Sequence, residues 1–576
     1  MHTKKNYENP EETRCVVVGN AQMSAELVVV EGRVLTMDAQ RPHAEAFAIS
    51  NGRIVAVGTS SEIRPLISPK THVVSARGKT VLPGFIESHM HLFAGASELH
   101  HLSLHGVSGF ENCANAIRTY AKNNLQTKFL FGQGADYTIF PERVTRHHLD
   151  RIIPDRPFAM AAQDHHTMWA NTKALELAGL LHGKVLGAGN EIVMGEDGLA
   201  TGELREVEAF IPLIVLSGEH RAGLGLSTGG EPDPAPSETE RALDKAMMQR
   251  GLDWCAKHGI TTIHNMDGNL YQLDLLDDIR GAGNLHCRAH IPFHFKNHMQ
   301  IDALEKASLM AERYTDDWLC SGKVKVFYDG VLESWTAVMA QDYADRQGWV
   351  GEPLFTEAEF ANIAIEADRR KLQIAVHAIG DGAVHAVLNG YEAAQKANGR
   401  RDSRHRIEHV EVVLPGDVAR FQKLGVIASM QPPHPPGVMD MPLEPTLSRI
   451  GREKWPLSYA WRTLKTAGAH IPFASDWPVS DINVMRGIHA AITRSKWSDD
   501  LPDQRFSLME ALGAYTLEGA YAEHGEDKKG MLKEGFFADA VILSDDIESL
   551  PPQDLQHITP QYTICGGNIT YEARSL

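Results

Sequence analysis

The chain has 576 residues, 43% hydrophobic and 23% charged, a soluble globular composition long enough for more than one domain. Its 56 basic and 74 acidic residues leave a formal net charge of −18, and no basic stripe or polybasic segment occurs, which argues against nucleic acid or an anionic membrane surface as a partner. No run of about twenty apolar residues occurs either, so no membrane span is expected.

Residues 1–24 read as a disordered leader; their polar start lacks the apolar core of a signal peptide. The six cysteines show no paired spacing, so a reduced thiol set and a cytoplasmic location are expected. Short alternating strands follow at 25–30, 33–37, 46–50, 53–58, 71–75 and 80–82, with Asn51-Gly52 as a hairpin turn between two of them. Strand-like runs recur near the far end, at 538–543 and 562–565. The simplest arrangement pairs both chain ends, 25–82 and 528–576, into one small composite β-sandwich beside the main domain.

Between the two ends, apolar strands alternate with helical stretches such as 357–371 and 382–396. Eight strand candidates fall at 80–86, 261–265, 288–293, 324–328, 373–377, 406–409, 426–430 and 471–475. That alternation predicts an α/β fold with a (β/α)8 TIM-like barrel over 83–527. A doubly wound open sheet ranks second, because no Gly-x-Gly-x-x-Gly follows the first strand. The first connection, about 170 residues long, is too long for a structureless loop and predicts a subdomain inserted over 95–250. Within it, 223–236 is rich in Gly, Pro and Ser and reads as a flexible loop.

Six residues of these strands read as one metal site: His89, His91, Lys325, His377, His409 and Asp476. In a strand, i and i+2 face one side, so His89 and His91 can share an ion. Each of the other four lies in or just after a further strand, and parallel barrel strands aim their C-terminal ends at one pocket. A carboxylate at a buried strand end is costly unless paired or metal-bound, which singles out Asp476. A lysine pointing into a barrel core also needs a reason. One is conversion of Lys325 to a carbamate that bridges two cations. Imidazoles and carboxylates suit one or two Zn2+ ions.

With these residues the chain resembles the amidohydrolase superfamily and its YtcJ-like branch (amidohydrolase family 3), from about residue 25 to 573. The superfamily pattern of His-x-His, Lys, His, His and Asp falls on His89, His91, Lys325, His377, His409 and Asp476. Branch phrases also match: Asp164-His-His-Thr-Met-Trp-Ala-Asn-Thr-Lys-Ala-Leu, Gly198-Leu-Ala-Thr-Gly-Glu-Leu, Lys325-Val-Phe-Tyr-Asp-Gly, His377-Ala-Ile-Gly-Asp-Gly-Ala, Ile407-Glu-His and Ser475-Asp-Trp-Pro-Val. Two departures stand out. His165 replaces the branch's glycine, and Glu333 and Trp335 stand where relatives often have smaller or basic residues. The branch includes N-substituted formamide deformylase, and the resemblance also implies a homodimer.

The expected function is hydrolysis of a non-peptide C–N bond in a small-molecule amide or N-substituted formamide by attack of metal-bound hydroxide. Asp476 is the expected base, passing the proton on to the departing amine. Asp329, His166, Asn171, Glu333, Trp335, Gln431, His434 and Trp477 are the expected substrate-binding residues. A deaminase layout is disfavoured because no glutamate follows His377 closely. An ester, lactone or carbamate hydrolase with the same site stays open. A non-catalytic scaffold ranks behind both, since all six ligand positions are filled.

Overall fold

Alternating apolar residues near the two chain ends build a pair of packed sheets. The computed structural model describes residues 24–574 apart from 164, 188, 218, 219 and 440, so the expected leader lies almost wholly outside the described residues. One sheet has four strands, in the order Arg53–Gly58, Ala46–Ser50, Leu27–Val30 and His72–Ser75. The other has six, in the order Asn568–Glu572, Pro560–Cys565, Ala540–Leu543, Thr80–Pro83, Arg33–Leu35 and His43–Ala44. Val541 sits opposite Leu82, which joins the end of the chain to its beginning. Val29, Phe47 and Ile49 from one sheet pack with Val81, Ile542 and Ile564 from the other. Each large side chain so buried contributes about 1.5–3 kcal/mol. Asn51 and Gly52 both take positive φ, 51° and 70°, the geometry that a tight hairpin turn requires.

The single strand predicted over 80–86 is two strands. Thr80–Pro83 belongs to the sandwich, and Phe85–Met90 opens the barrel. Gly84 divides them, because a Cβ there would meet Thr261 Oγ1 at 2.2 Å. A Gly84→Ala variant must push the first two barrel strands apart. It is expected to lose about 1–3 kcal/mol in denaturant unfolding; an unchanged midpoint would show that this close approach is not needed.

Parallel strands then follow at Ile260–Asn265, Arg288–His290 with Phe293–His294, Lys323–Phe327, Gln373–Ala378, Arg406–His409 and Ile427–Ser429. The third strand is broken at Ile291-Pro292, where proline has no N–H for the ladder. Its first piece pairs in one arc and its second in the other, next to Lys325. Among the described residues the predicted eighth strand makes one bridge, Met430 to Phe473. Backbone bonds still close the circle: Met430 N–H donates to Pro472 O at 3.1 Å, Ala474 N–H to Met430 O at 3.2 Å and Asp476 N–H to His89 O at 2.9 Å. The result is the expected (β/α)8 barrel with its β-sandwich. Helices Glu357–Arg369, started by a Thr356/Glu359 capping box, and Asp381–Asn398 cover the fourth to sixth strands.

The long connection after strand one carries its own six-stranded sheet, running from Glu191–Met194 at one edge to Leu102–Ser103 at the other. It is the α/β insertion that its length demanded. The segment expected as a loop over 223–236 is helical in its first part, within His220–Ser227. Its glycines allow close packing: a Cβ on Gly225 would meet Gln272 Oε1 at 2.9 Å. Arg221 Nε also anchors that helix to Asp244 at 2.8 Å. Among the described residues no helix is long and apolar enough to cross a membrane. The five described cysteines are free.

Candidate metal centre

The strand Phe85–Met90 ends in a fully buried run, and His89 and His91 emerge from it toward the barrel axis. His89 Nδ1 lies 2.7 Å from Glu408 Oε2, and His91 Nδ1 lies 2.9 Å from Asp267 Oδ1. A carboxylate accepts only, so each Nδ1 carries the hydrogen and each Nε2 presents a lone pair. Both lone pairs face one oxygen: Asp476 Oδ1 is 3.2 Å from His89 Nε2 and 3.5 Å from His91 Nε2. Three acceptors crowded together in a buried site repel one another unless a cation or proton lies between them.

Asp476 is held there with φ of 61°, and His409 and Val410 also take left-handed backbone, φ 79° and 48°. Such conformations cost roughly 1–3 kcal/mol each for non-glycine residues and persist where the surroundings enforce them. Burial pushes the Asp476 carboxyl up, but the rings of His89, His409 and His91 hold it well below the ordinary carboxylate range. Burial and the neighbouring Lys325 keep His89 low, and burial does the same to His377 and His409.

His377 Nε2 pairs with Gly330 O at 3.0 Å, and its ring lies 4.5 Å from that of His409. His409 Nδ1 lies 3.0 Å from Gln431 Oε1 and 3.9 Å from Asp476 Oδ2. Lys325 is fully buried with no hydrogen-bond partner for Nζ among the described residues, and burial pushes its ammonium down to about 8. Among the described residues, His89 Nε2, Asp476 Oδ1, Lys325 Nζ and His434 Nε2 are all buried without a hydrogen-bond partner. An unpartnered buried polar atom costs about 1–3 kcal/mol, so this concentration of lone pairs and orphans in one place suits a bound divalent ion.

The structure distributes the expected substrate-binding residues unevenly. Gln431 and His434 sit at the centre, with Gln431 Nε2 unpartnered. His166 reaches Glu206 at 2.9 Å and lies within electrostatic range of His377. Its neighbour His165, φ 61°, contacts Glu98 at 3.3 Å and feels both Asp476 and His91. Asp329 Oδ1 lies 3.7 Å from His377 Nε2, and its oxygens accept backbone N–H bonds from Val338, Ile379 and Gly380, tying together the loops after strands four and five. Asn171 caps the helix Thr172–Leu177, and its other bonds, to Phe158, Ile153 and Arg156, stay inside the insertion. Glu333 is bonded by Thr446 Oγ1. Trp335, in left-handed backbone, lies under the Arg449 guanidinium at 3.7 Å. Trp477 is buried against the helix Leu92–Glu98, where a Cβ on Gly95 would meet its ring at 2.5 Å.

Glu408, Asp267, Glu411 and Arg406 are the polar residues that sequence reasoning passed over. Arg406 and Glu408 had a signal, two charges at i and i+2 inside an apolar strand run. Asp267 and Glu411 lie in loops and carried none.

The profile of the amidohydrolase family matches residues 72–571. Protein LONG AFTER FAR-RED 3 of Arabidopsis thaliana is 30% identical over 91% of this chain and 88% of its own length. YtcJ of Bacillus subtilis is 26% identical over 94% and 98%. N-substituted formamide deformylase of Arthrobacter pascens is 25% identical over 95% and 98%. The solved structure of an uncharacterized metal-dependent hydrolase from Pyrococcus horikoshii superposes with a TM-score of 0.70 at 23% identity, covering 92% of this chain and 99% of that one.

Proposed function

The chain belongs to the amidohydrolase family, and from that premise we propose that it is a metal-dependent hydrolase cleaving a non-peptide carbon–nitrogen bond in an amide or N-substituted formamide. The observation that carries this reading is the pair of carboxylate-backed imidazoles, His89 and His91, aiming their Nε2 lone pairs at Asp476. His89, His91, Lys325, His377, His409 and Asp476 are the residues that would hold one or two ions. Their nitrogen and carboxylate donors suit zinc. Carboxylation of Lys325 would give its unpartnered buried nitrogen an anionic, ligating end.

When bound, the ion supplies a Lewis acid that polarises the scissile carbonyl and makes water acidic. Asp476 takes the proton released by the attacking water and returns it to the departing nitrogen. Its two oxygens face different histidines, so it can reorient without leaving the site. Gln431 Nε2, buried and unpartnered, is placed to donate to the substrate carbonyl oxygen. The 25% identity to a formamide deformylase supports a small acyl group on the carbonyl side.

The test is chelation followed by a substrate panel. Dialysis against a strong chelator is expected to abolish turnover and added Zn2+ to restore it. N-substituted formamides and other amides, followed by amine release, are expected to outpace matched esters. Turnover confined to the esters sinks the carbon–nitrogen assignment, and full activity in the chelated protein sinks the metal.

A further inference from the structure

A separate constellation of reactive side chains lies at the end of the barrel away from the metal centre. Strands four and five start at the paired residues Lys323 and Gln373, and Gln373 Nε2 donates to Ala522 O at 2.8 Å. The next residue, Glu523, is thereby set across the barrel floor, with its side chain almost fully buried. His264 Nε2 and His290 Nε2 approach its Oε2 at 2.8 and 2.5 Å, and Lys529 Nζ approaches its Oε1 at 2.5 Å. Arg406 Nη1 lies 2.9 Å from His264 Nδ1. Arginine only donates, so His264 Nδ1 accepts and its Nε2 gives a hydrogen to Glu523. These contacts make a hydrogen-bond network and not a cation site.

His290 Nε2 also gives its hydrogen to Glu523, because a carboxylate only accepts, and Nδ1 remains for another partner. Cys320 stands opposite His290 in register on the neighbouring strand Leu319–Cys320, and the two side chains are hydrogen-bonded. Cys320 Sγ also lies 3.3 Å from Ser321 O. Burial raises the Cys320 thiol and lowers the His290 imidazolium. His290 outweighs the first effect and Glu523 the second, so the thiol stands below its ordinary range and the imidazole above it. Lys323 Nζ is buried with no hydrogen-bond partner among the described residues, within electrostatic range of both Cys320 and Glu523. Of the five described cysteines only Cys320 is not buried, and the His290 side chain keeps 20% of its surface exposed.

A thiol beside an imidazole that a carboxylate orients is the arrangement of a cysteine nucleophile. We propose that Cys320, His290 and Glu523 form a thiolate site on the barrel floor that reacts with hydrogen peroxide. The thiol proton passes to His290 Nδ1, and the sulfur attacks one peroxide oxygen. An S–O bond forms as the O–O bond breaks, and the departing hydroxide takes the proton from His290 and leaves as water. Sulfur is oxidised to sulfenic acid and peroxide is reduced. Peroxide is small and uncharged, which suits a thiol that is only partly exposed. The unpartnered Lys323 nitrogen supplies a donor for the oxygen that the sulfur gains. The metal centre takes no part in this step.

Full-length protein carrying Cys15→Ser tests the proposal, since Cys15 lies outside the described residues. Iodoacetamide labelling is followed peptide by peptide by mass spectrometry. At about pH 7 Cys320 is expected to react nearly as fast as at about pH 9.5, which lies above the ordinary thiol pKa of about 8.5. His290→Asn is expected to slow labelling about tenfold or more at the lower pH and to match its parent at the higher one. A site that was merely blocked or misfolded would stay slow at both. Hydrogen peroxide with dimedone present is expected to yield the trapped sulfenic acid at Cys320, with the same dependence on His290. A parent labelling rate that climbs in proportion to hydroxide up to about pH 8.5 overturns the thiolate, whether or not the variant folds. An unchanged profile in His290→Asn removes the imidazole from the site, and alkylation without any trapped sulfenic acid overturns peroxide as the reagent.

Discussion

Asp476→Asn is expected to lower kcat by about 10²–10⁴-fold, the range that a positioned acid–base group contributes, while KM changes little. The amide keeps an oxygen of the same reach, so the metal content of purified protein is expected to stay close to wild type. What the variant lacks is a group that accepts a proton from water and gives it back to nitrogen. In the folded protein Asp476 is placed for the first of these acts, with Oδ1 3.2 Å from His89 Nε2 and 3.5 Å from His91 Nε2 and Oδ2 3.9 Å from His409 Nδ1. Measuring metal content and kcat on the same preparation separates two roles. Loss of activity with the metal retained assigns proton transfer to Asp476. Parallel loss of both leaves it as a ligand only, and undiminished turnover removes it from the reaction.

The candidate ligands were legible because metal sites impose residue type at strand ends, and a strand end announces itself in sequence. His89, His377 and His409 close apolar runs, and Asp476 follows one. The sandwich was legible for a similar reason: period-two alternation marks a sheet with one buried face. The carboxylates that back those histidines were not. Glu408 stood in view between Ile407 and His409, yet whether a strand charge faces a ligand or a neighbouring strand depends on register. Glu411 and Asp267 lie on loops, whose paths no periodicity reports. Asn171 was drawn to the site by motif, whereas its oxygen is taken up by backbone N–H groups of the insertion that only the folded chain brings near; Asp329 lies 3.7 Å from His377 Nε2 and also accepts backbone N–H groups. Gly84 and Pro292 each divided a run that read as one strand, because a close approach to Thr261 and a missing N–H act locally within an unbroken apolar pattern.

Glu408 carries the other large expected effect. It is fully buried, accepts from Arg406 Nε at 2.7 Å through Oε1, and meets His89 Nδ1 at 2.7 Å through Oε2. Arg406 is buried as deeply and donates also to Ser88 O and Ser429 Oγ. Glu408→Gln preserves shape but leaves the guanidinium charge uncompensated, and removing one partner of a buried pair costs about 3–5 kcal/mol. Urea unfolding of metal-free protein is expected to show that loss; metal must be absent because a ligand bound to the native state adds stability of its own. The same change removes the carboxylate that fixes the tautomer of His89, so Zn2+ affinity is expected to fall by about 10–100-fold. Neutralising Arg406 as well, in a Glu408→Gln/Arg406→Met double variant, distinguishes the two consequences. Stability should largely return once no unpaired charge is buried, whereas Zn2+ affinity should stay low because His89 still lacks its carboxylate. Recovery of both together would mean that Glu408 serves the site only by keeping the barrel folded.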